Sequence, residues 1–176
     1  MMTDIEPCPG CAALLPPSTG STHRYIGASP ACWERYSLLN AGEPSLTPHP
    51  RNGLLVDAYA AQHPGISSPQ AIQSVAVHLL TLYGILIKGI ADEQTVWIRQ
   101  RALRTQDQSR RDRFGWLEPP SFEGQLTVVD IVQAATPDER TEQLQSYVES
   151  VWQTWRHMHL GTISDWYDQF VLPDRL

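Results

Sequence analysis

The stretch SPQAIQSVAVHLLTLYGILIK, residues 68–88, decides the fold class. Ser68 suits a helix cap, its hydroxyl accepting from the free amides of the first turn, and Pro69 suits the first helical position, where a missing N–H costs nothing. Ile72, Val75, Leu79, Leu82 and Leu86 then recur at intervals of three and four. That spacing predicts one buried helical face with His78 on its flank. His78, Thr81 and Lys88 interrupt the apolar stretch from Val75 to Ile90. It is too short and too polar to span a bilayer, so no membrane partner is expected.

The same signals recur on both sides. Ser29-Pro30 opens a helix through Trp33, Tyr36 and Leu39, which Asn40 and Gly42 end. Residues 42–53, with Pro44, Pro48 and Pro50, read as a loop. A short helix follows over Leu54–Gln62; Val56, Tyr59, Ala60 and His63 share its inner stripe, and Pro64-Gly65 stops it. Downstream, a helix is expected from Asp92 to about Gln106. Trp116 to Pro120 must be extended or turning, because each proline excludes the helical conformation in the residue before it. Leu126-Thr127-Val128-Val129 fits either a short strand or the start of a helix. Pro137 to Leu160 reads as a helix with Leu144, Val148, Val151, Trp152, Trp155 and His159 on one side. The expected architecture is a single mainly α-helical, bundle-like domain with its helical body over residues 29–176. Residues 1–28, rich in Pro, Gly, Ser and Thr, form an irregular lobe of that domain and need an internal staple.

With 176 residues, 41% hydrophobic and 18% charged, the chain is globular and long enough to bury a core. A net charge of −6 speaks against general nucleic-acid binding. Met1 to Leu15 lacks the basic start and apolar centre of a secretory leader. The three cysteines cannot all pair, which favours a reduced cytoplasmic setting and a bound metal over a disulfide scaffold.

All three cysteines lie in the first 32 positions, as Cys8-Pro9-Gly10-Cys11 and then Cys32, with His23 between. A two-residue gap lets two thiolates meet one ion, and four Cys/His ligands close a tetrahedral zinc shell. Cys32 falls in the first turn of the Ser29 helix, where the helix dipole favours thiolate. The expected structural zinc site is therefore Cys8, Cys11, His23 and Cys32, with His63 as the alternative fourth ligand. The residue after the second cysteine of a zinc knuckle is often Gly, whereas here it is Ala12.

His63, His78 and His159 each face the interior or its edge, while His157, two residues from His159, points away. Three inward imidazoles could bind a catalytic metal with an open position, and Asp57 stands near the same stripe. The competing reading of each is a hydrogen-bonded core histidine. Trp152 and Trp155 are core first, and a small-molecule sensor built on them has only composition behind it. Arg99, Arg101, Arg104, Arg110, Arg111 and Arg113, diluted by Asp107 and Asp112, read as a solvated helix end. No GxxxxGK[ST] loop, GxSxG elbow or HExxH helix occurs. Ser74 lies one turn from His78, but a mid-helix serine lacks the exposed elbow that a nucleophile needs.

The pieces CPGC, HRYIGASPACW, VDAYAAQHPG, SVAVHLL, LTVVDIV and VWQTWRHMH, in this order, resemble an uncharacterised bacterial family known only as a domain of unknown function. The likeness covers Cys8 to Trp166 and implies a bacterial, cytoplasmic protein with no assigned activity. A looser likeness is to DinB-like helical-bundle metal enzymes, which place a late histidine pair four apart on one helix face. His157 and His159 depart from that pattern. These features leave two classes of function. One is a non-catalytic binding or adaptor protein with a structural zinc and a protein or small-molecule partner. The other is a DinB-like metal-dependent hydrolase or transferase using His63, His78 and His159, with Asp57 as orienting group or base.

Overall fold

The computed structural model describes residues 4–41, 46–104 and 113–172. Among them the only strands are β1 (Glu6–Pro7) and β2 (Leu14–Leu15), an antiparallel pair with Glu6 opposite Leu15. Six helices follow, as the mainly α reading requires: α1 (Pro30–Asn40), α2 (Leu55–Gln62), α3 (Pro69–Leu86), α4 (Thr95–Leu103), α5 (Val128–Gln133) and α6 (Pro137–Trp166).

The caps sit where side-chain chemistry puts them. Ser29 accepts from the Cys32 amide at 3.3 Å, and Ser68 accepts from the Ala71 amide at 3.2 Å. Residues 46–49 are irregular and lead into a 3-10 turn over Pro50–Leu54. Gly42 and Pro44 lie outside the described residues. In α3, Val75, Leu79 and Leu82 are buried, and Ile72 and Leu86 pack half-buried against the core. A 3-10 turn over Asp92–Gln94 precedes α4, which ends at Leu103; the expected end near Gln106 is not among the described residues.

Two elements differ from, or decide between, the expectations. Leu126 to Val129 starts a helix rather than a strand. Thr127 and Asp130 form a reciprocal capping box, in which the Thr127 amide donates to Asp130 Oδ2 at 2.7 Å. Helix α6 runs to Trp166 instead of stopping before Gly161. Ile163 and Trp166 prolong its buried face, and that outweighs the roughly 1 kcal/mol that one helical glycine costs. A π-type turn, Tyr167–Val171, then folds Tyr167 against Tyr83.

Helix α3 packs between α2 and α4 and also meets α6, while α5 bridges α1 and α6. Leu79, Leu82, Ile98, Leu144, Trp152 and Trp155 are fully buried where these helices meet. Each such side chain contributes about 1.5–3 kcal/mol on leaving water. The inner ends of α1 and α2 face the N-terminal lobe, and Cys8, Cys11 and Leu15 join the same core cluster.

Candidate metal centre

Short-range chemistry brings the first two cysteines together. The β1–β2 pair pinches residues 8–13 into a loop, in which the Cys8 amide donates to the Ala13 carbonyl and the Ala12 amide donates back to the Cys8 carbonyl. Ala12 turns the chain with φ at +60°. This is the left-handed conformation that glycine adopts at no steric cost and alanine adopts with strain.

Cys32 comes from the first turn of α1, and His63 stands at the C-cap of α2, where Pro64 and Gly65 end the helix. The residues before His63 are anchored on α6. Trp155 Nε1 donates to the Ala61 carbonyl at 2.9 Å, and the Tyr147 hydroxyl donates to Gln62 at 3.0 Å. On the lobe side, the Gly27 amide donates to the His63 carbonyl at 3.0 Å. The chain at Gly27 crosses Gly65 so closely that a Cβ on Gly27 would lie 2.9 Å from the Gly65 backbone. Gly10 of the CPGC turn lies beneath the His63 ring, and a Cβ there would strike that ring and come within 2.7 Å of the Gly27 carbonyl.

The result is a group of four buried ligands, Cys8, Cys11, Cys32 and His63, whose ligand atoms all lie within 4.8 Å of one another. Cys11 Sγ and Cys32 Sγ are 3.8 Å apart, and Cys32 Sγ is 3.5 Å from His63 Nε2. A tetrahedral zinc with Zn–S near 2.3 Å and Zn–N near 2.0–2.1 Å requires edges of about 3.8 Å for S···S and about 3.6 Å for S···N. The spacing therefore suits an ion of that size. His63 Nδ1 lies 2.8 Å from the Tyr59 carbonyl; Nδ1–H donates there, leaving the Nε2 lone pair for the sulfur cluster. The Ser29 amide donates to Cys8 Sγ at 3.3 Å, and the Tyr59 hydroxyl donates to Cys32 Sγ at 3.5 Å.

The electrostatics point the same way. Hydrogen bonds from Cys11 and then Cys32 hold the Cys8 thiol far below its ordinary range. Cys11 accepts from Cys32, but it also donates to Cys8 and is buried, and the net effect pushes its thiol up to about 12. Cys32, donating to Cys11 and Cys8 and buried as well, is pushed up much further. Crowding of the three sulfurs thus favours the thiolate at Cys8 and the protonated thiol at Cys11 and Cys32. A divalent ion would displace those protons, because thiolates are the ligands.

The other candidate residues lie elsewhere. His23 is exposed, with its ring 4.2 Å from Tyr25 and 6.0 Å from Trp33, and is not in the group. The His63–His78–His159 constellation is not assembled among the described residues, because three helices commit these imidazoles to three different partners. His63 goes to the sulfurs, His78 Nδ1 pairs with Asp57 at 2.8 Å, and His159 Nε2 lies 2.8 Å from the Glu118 carbonyl. Arg99 is also not part of a solvated helix end, since it pairs with the fully buried Asp57 through both carboxylate oxygens. Arg113 donates to the Ala102 and Arg104 carbonyls and so closes the end of α4. Arg110 and Arg111 lie outside the described residues. The sequence reading missed the pairing of Asp57 with Arg99, 42 residues apart, which no local spacing announces.

A family described as "Family of unknown function (DUF5946)" matches residues 6–156. No curated protein and no solved structure matches the chain. No helix among the described residues is long and apolar enough to cross a membrane.

Proposed function

The chain belongs to DUF5946, a family of unknown function, and from that premise we propose a zinc-stapled binding protein of non-catalytic type. Cys8, Cys11, Cys32 and His63 hold one structural zinc, with His63 in the place that sequence order offered to His23. Residues 1–28 then belong to the same domain as the helices, fastened to α1 by Cys32 and to α2 by His63. Zinc is preferred because mixed Cys/His sets with tetrahedral spacing suit it and it brings no redox chemistry. Three free thiols gathered on one histidine suit a reducing compartment, in keeping with a cytoplasmic protein.

One observation supports the reading: all four side chains are buried and their ligand atoms lie within 4.8 Å of one another, the number and spacing that a closed tetrahedral shell needs. A catalytic zinc keeps a position for water or substrate, whereas a closed one supports structure. The work of the protein then lies in what its surface or cavities bind, a protein or a small molecule. Cobalt(II) substitution tests this directly. A tetrahedral thiolate spectrum unchanged by azide or cyanide is expected, and a spectrum perturbed by either anion at stoichiometric levels would overturn the closed-site reading.

A further inference from the structure

A second place in the molecule is built around a polar group; none of the four Cys/His ligands lines it, although Tyr59, which donates to Cys32, borders both. A cavity of about 220 Å3 opens beside the outer faces of α1, α2 and α3. Its walls are unusually aromatic: His23, Tyr25, Trp33, Tyr36 and Tyr59 surround it, and His78 closes one side. The rings support one another. Tyr36 stacks on Tyr59 with centroids 4.0 Å apart, and Trp33 lies 5.1 Å from Tyr36 and 5.8 Å from Tyr59.

His78 is oriented by charge rather than by packing alone. Arg99 on α4 grips both oxygens of Asp57 on α2, and Asp57 in turn accepts from His78 Nδ1 on α3. The Asp57 side chain is fully buried, while that of His78 is 17% exposed. Burying a carboxylate and its partner is at best a poor route to stability, since apolar residues of similar volume serve as well. What the chain Arg99–Asp57–His78 does secure is a tautomer. With the proton held on Nδ1, Nε2 becomes an acceptor. That nitrogen has no hydrogen-bond partner among the described residues, and the ring that carries it is held from behind by Asp57.

We propose that this cavity binds a small planar aromatic or heteroaromatic molecule that packs against Trp33 and Tyr36, with Tyr59 holding Tyr36 from behind, and donates one N–H or O–H to His78 Nε2. The volume falls below the roughly 300–1,000 Å3 usual for drug-sized ligands and suits one or two fused rings. Flat walls select planar molecules, and a single fixed acceptor selects those with a donor on one edge. The inference deepens the binding-protein reading and rests on it, but it does not depend on which metal the cysteines hold.

Indole and 1-methylindole, which differ at the N–H, are the probes. They are titrated separately into the full chain while amide and Trp side-chain NMR signals are followed. Indole is expected to saturate below about 1 mM, moving Trp33 and the Ser74–His78 amides, and 1-methylindole to bind about tenfold more weakly. In a His78→Phe variant the difference between the two probes should vanish, while a Trp33→Ala variant should weaken both. Equal affinity of the two probes for the wild-type chain, or no saturable shifts at Trp33, overturns the proposal without recourse to any variant. A preference for indole that survives in His78→Phe overturns it as well. Metal content measured on the same samples separates the two readings. Indole binding by a metal-free chain removes only the zinc assignment, and a zinc-bearing chain that ignores indole removes only the cavity assignment.

Discussion

The N-terminal lobe and the α3–α6 core hold the chain by different physics. In the core, Leu79, Leu82, Leu144, Val148, Val151, Trp152 and Trp155 are all fully buried, and the energy is spread over many contacts. In the lobe, residues 4–7 and 19–24 are exposed, and the main buried side chains are Cys8, Cys11 and Leu15. A segment with so little apolar area does not cover the entropy of its own ordering. Four metal–ligand bonds can replace the missing contacts. On the proposed metal site, a short irregular segment has its stabilisation concentrated at one point, and it fails at that point.

The largest expected effect is removal of the metal. Zinc binding in small Cys/His units is worth about 10–16 kcal/mol at neutral pH, so stripping it should release the lobe. Limited proteolysis after chelation should cut within residues 4–28 while the far-UV helical signal persists. Simultaneous loss of the helical signal would break the contrast between the two regions. Because thiols bind zinc as thiolates, and those of a released lobe are mostly protonated near neutral pH, refilling with zinc in a weak buffer should release about three protons per ion.

Trp155→Ala probes the other region. It empties a fully buried site and leaves the Ala61 carbonyl without its donor. A loss of about 3–5 kcal/mol in denaturant unfolding is expected, with metal content unchanged in the folded protein. A smaller effect follows for Gly10→Ala, whose Cβ would meet the His63 ring. About 1–3 kcal/mol of overpacking should appear as weaker zinc retention against a competing chelator, with the melting of metal-free protein untouched. The smallest is Ala12→Gly, which relieves the +60° φ and should strengthen zinc retention by about 1 kcal/mol. No change, or a loss, would show that the turn carries no strain.

The same contrast explains what the sequence reveals. Periodicity reports distributed burial, so five of the six helices, the Ser29 and Ser68 caps and many core positions are legible from residue types alone. The Leu126–Val129 stretch is ambiguous because β-branched and apolar residues suit both strand and helix, and Thr127 with Asp130 resolves it only through side-chain reach. Concentrated stabilisation is read less completely. The CPGC pair and the Cys32 helix start give three members of the buried Cys/His group by spacing, but the fourth member is chosen in three dimensions. His23 is nearer in sequence yet rests on Tyr25, whereas His63 arrives because Pro64-Gly65 ends α2 over Gly10. The Arg99–Asp57–His78 chain is hidden for the same reason, since its members lie on three helices and obey no common period.

Metal per chain decides whether His63 is the fourth ligand. Elemental analysis of protein purified without chelator would compare the wild type with His63→Ala, His23→Ala and Cys11→Ser. About one zinc is expected in the wild type and in His23→Ala, and little or none in the other two. A wild type without metal, or zinc lost with His23 and kept without His63, would contradict that assignment.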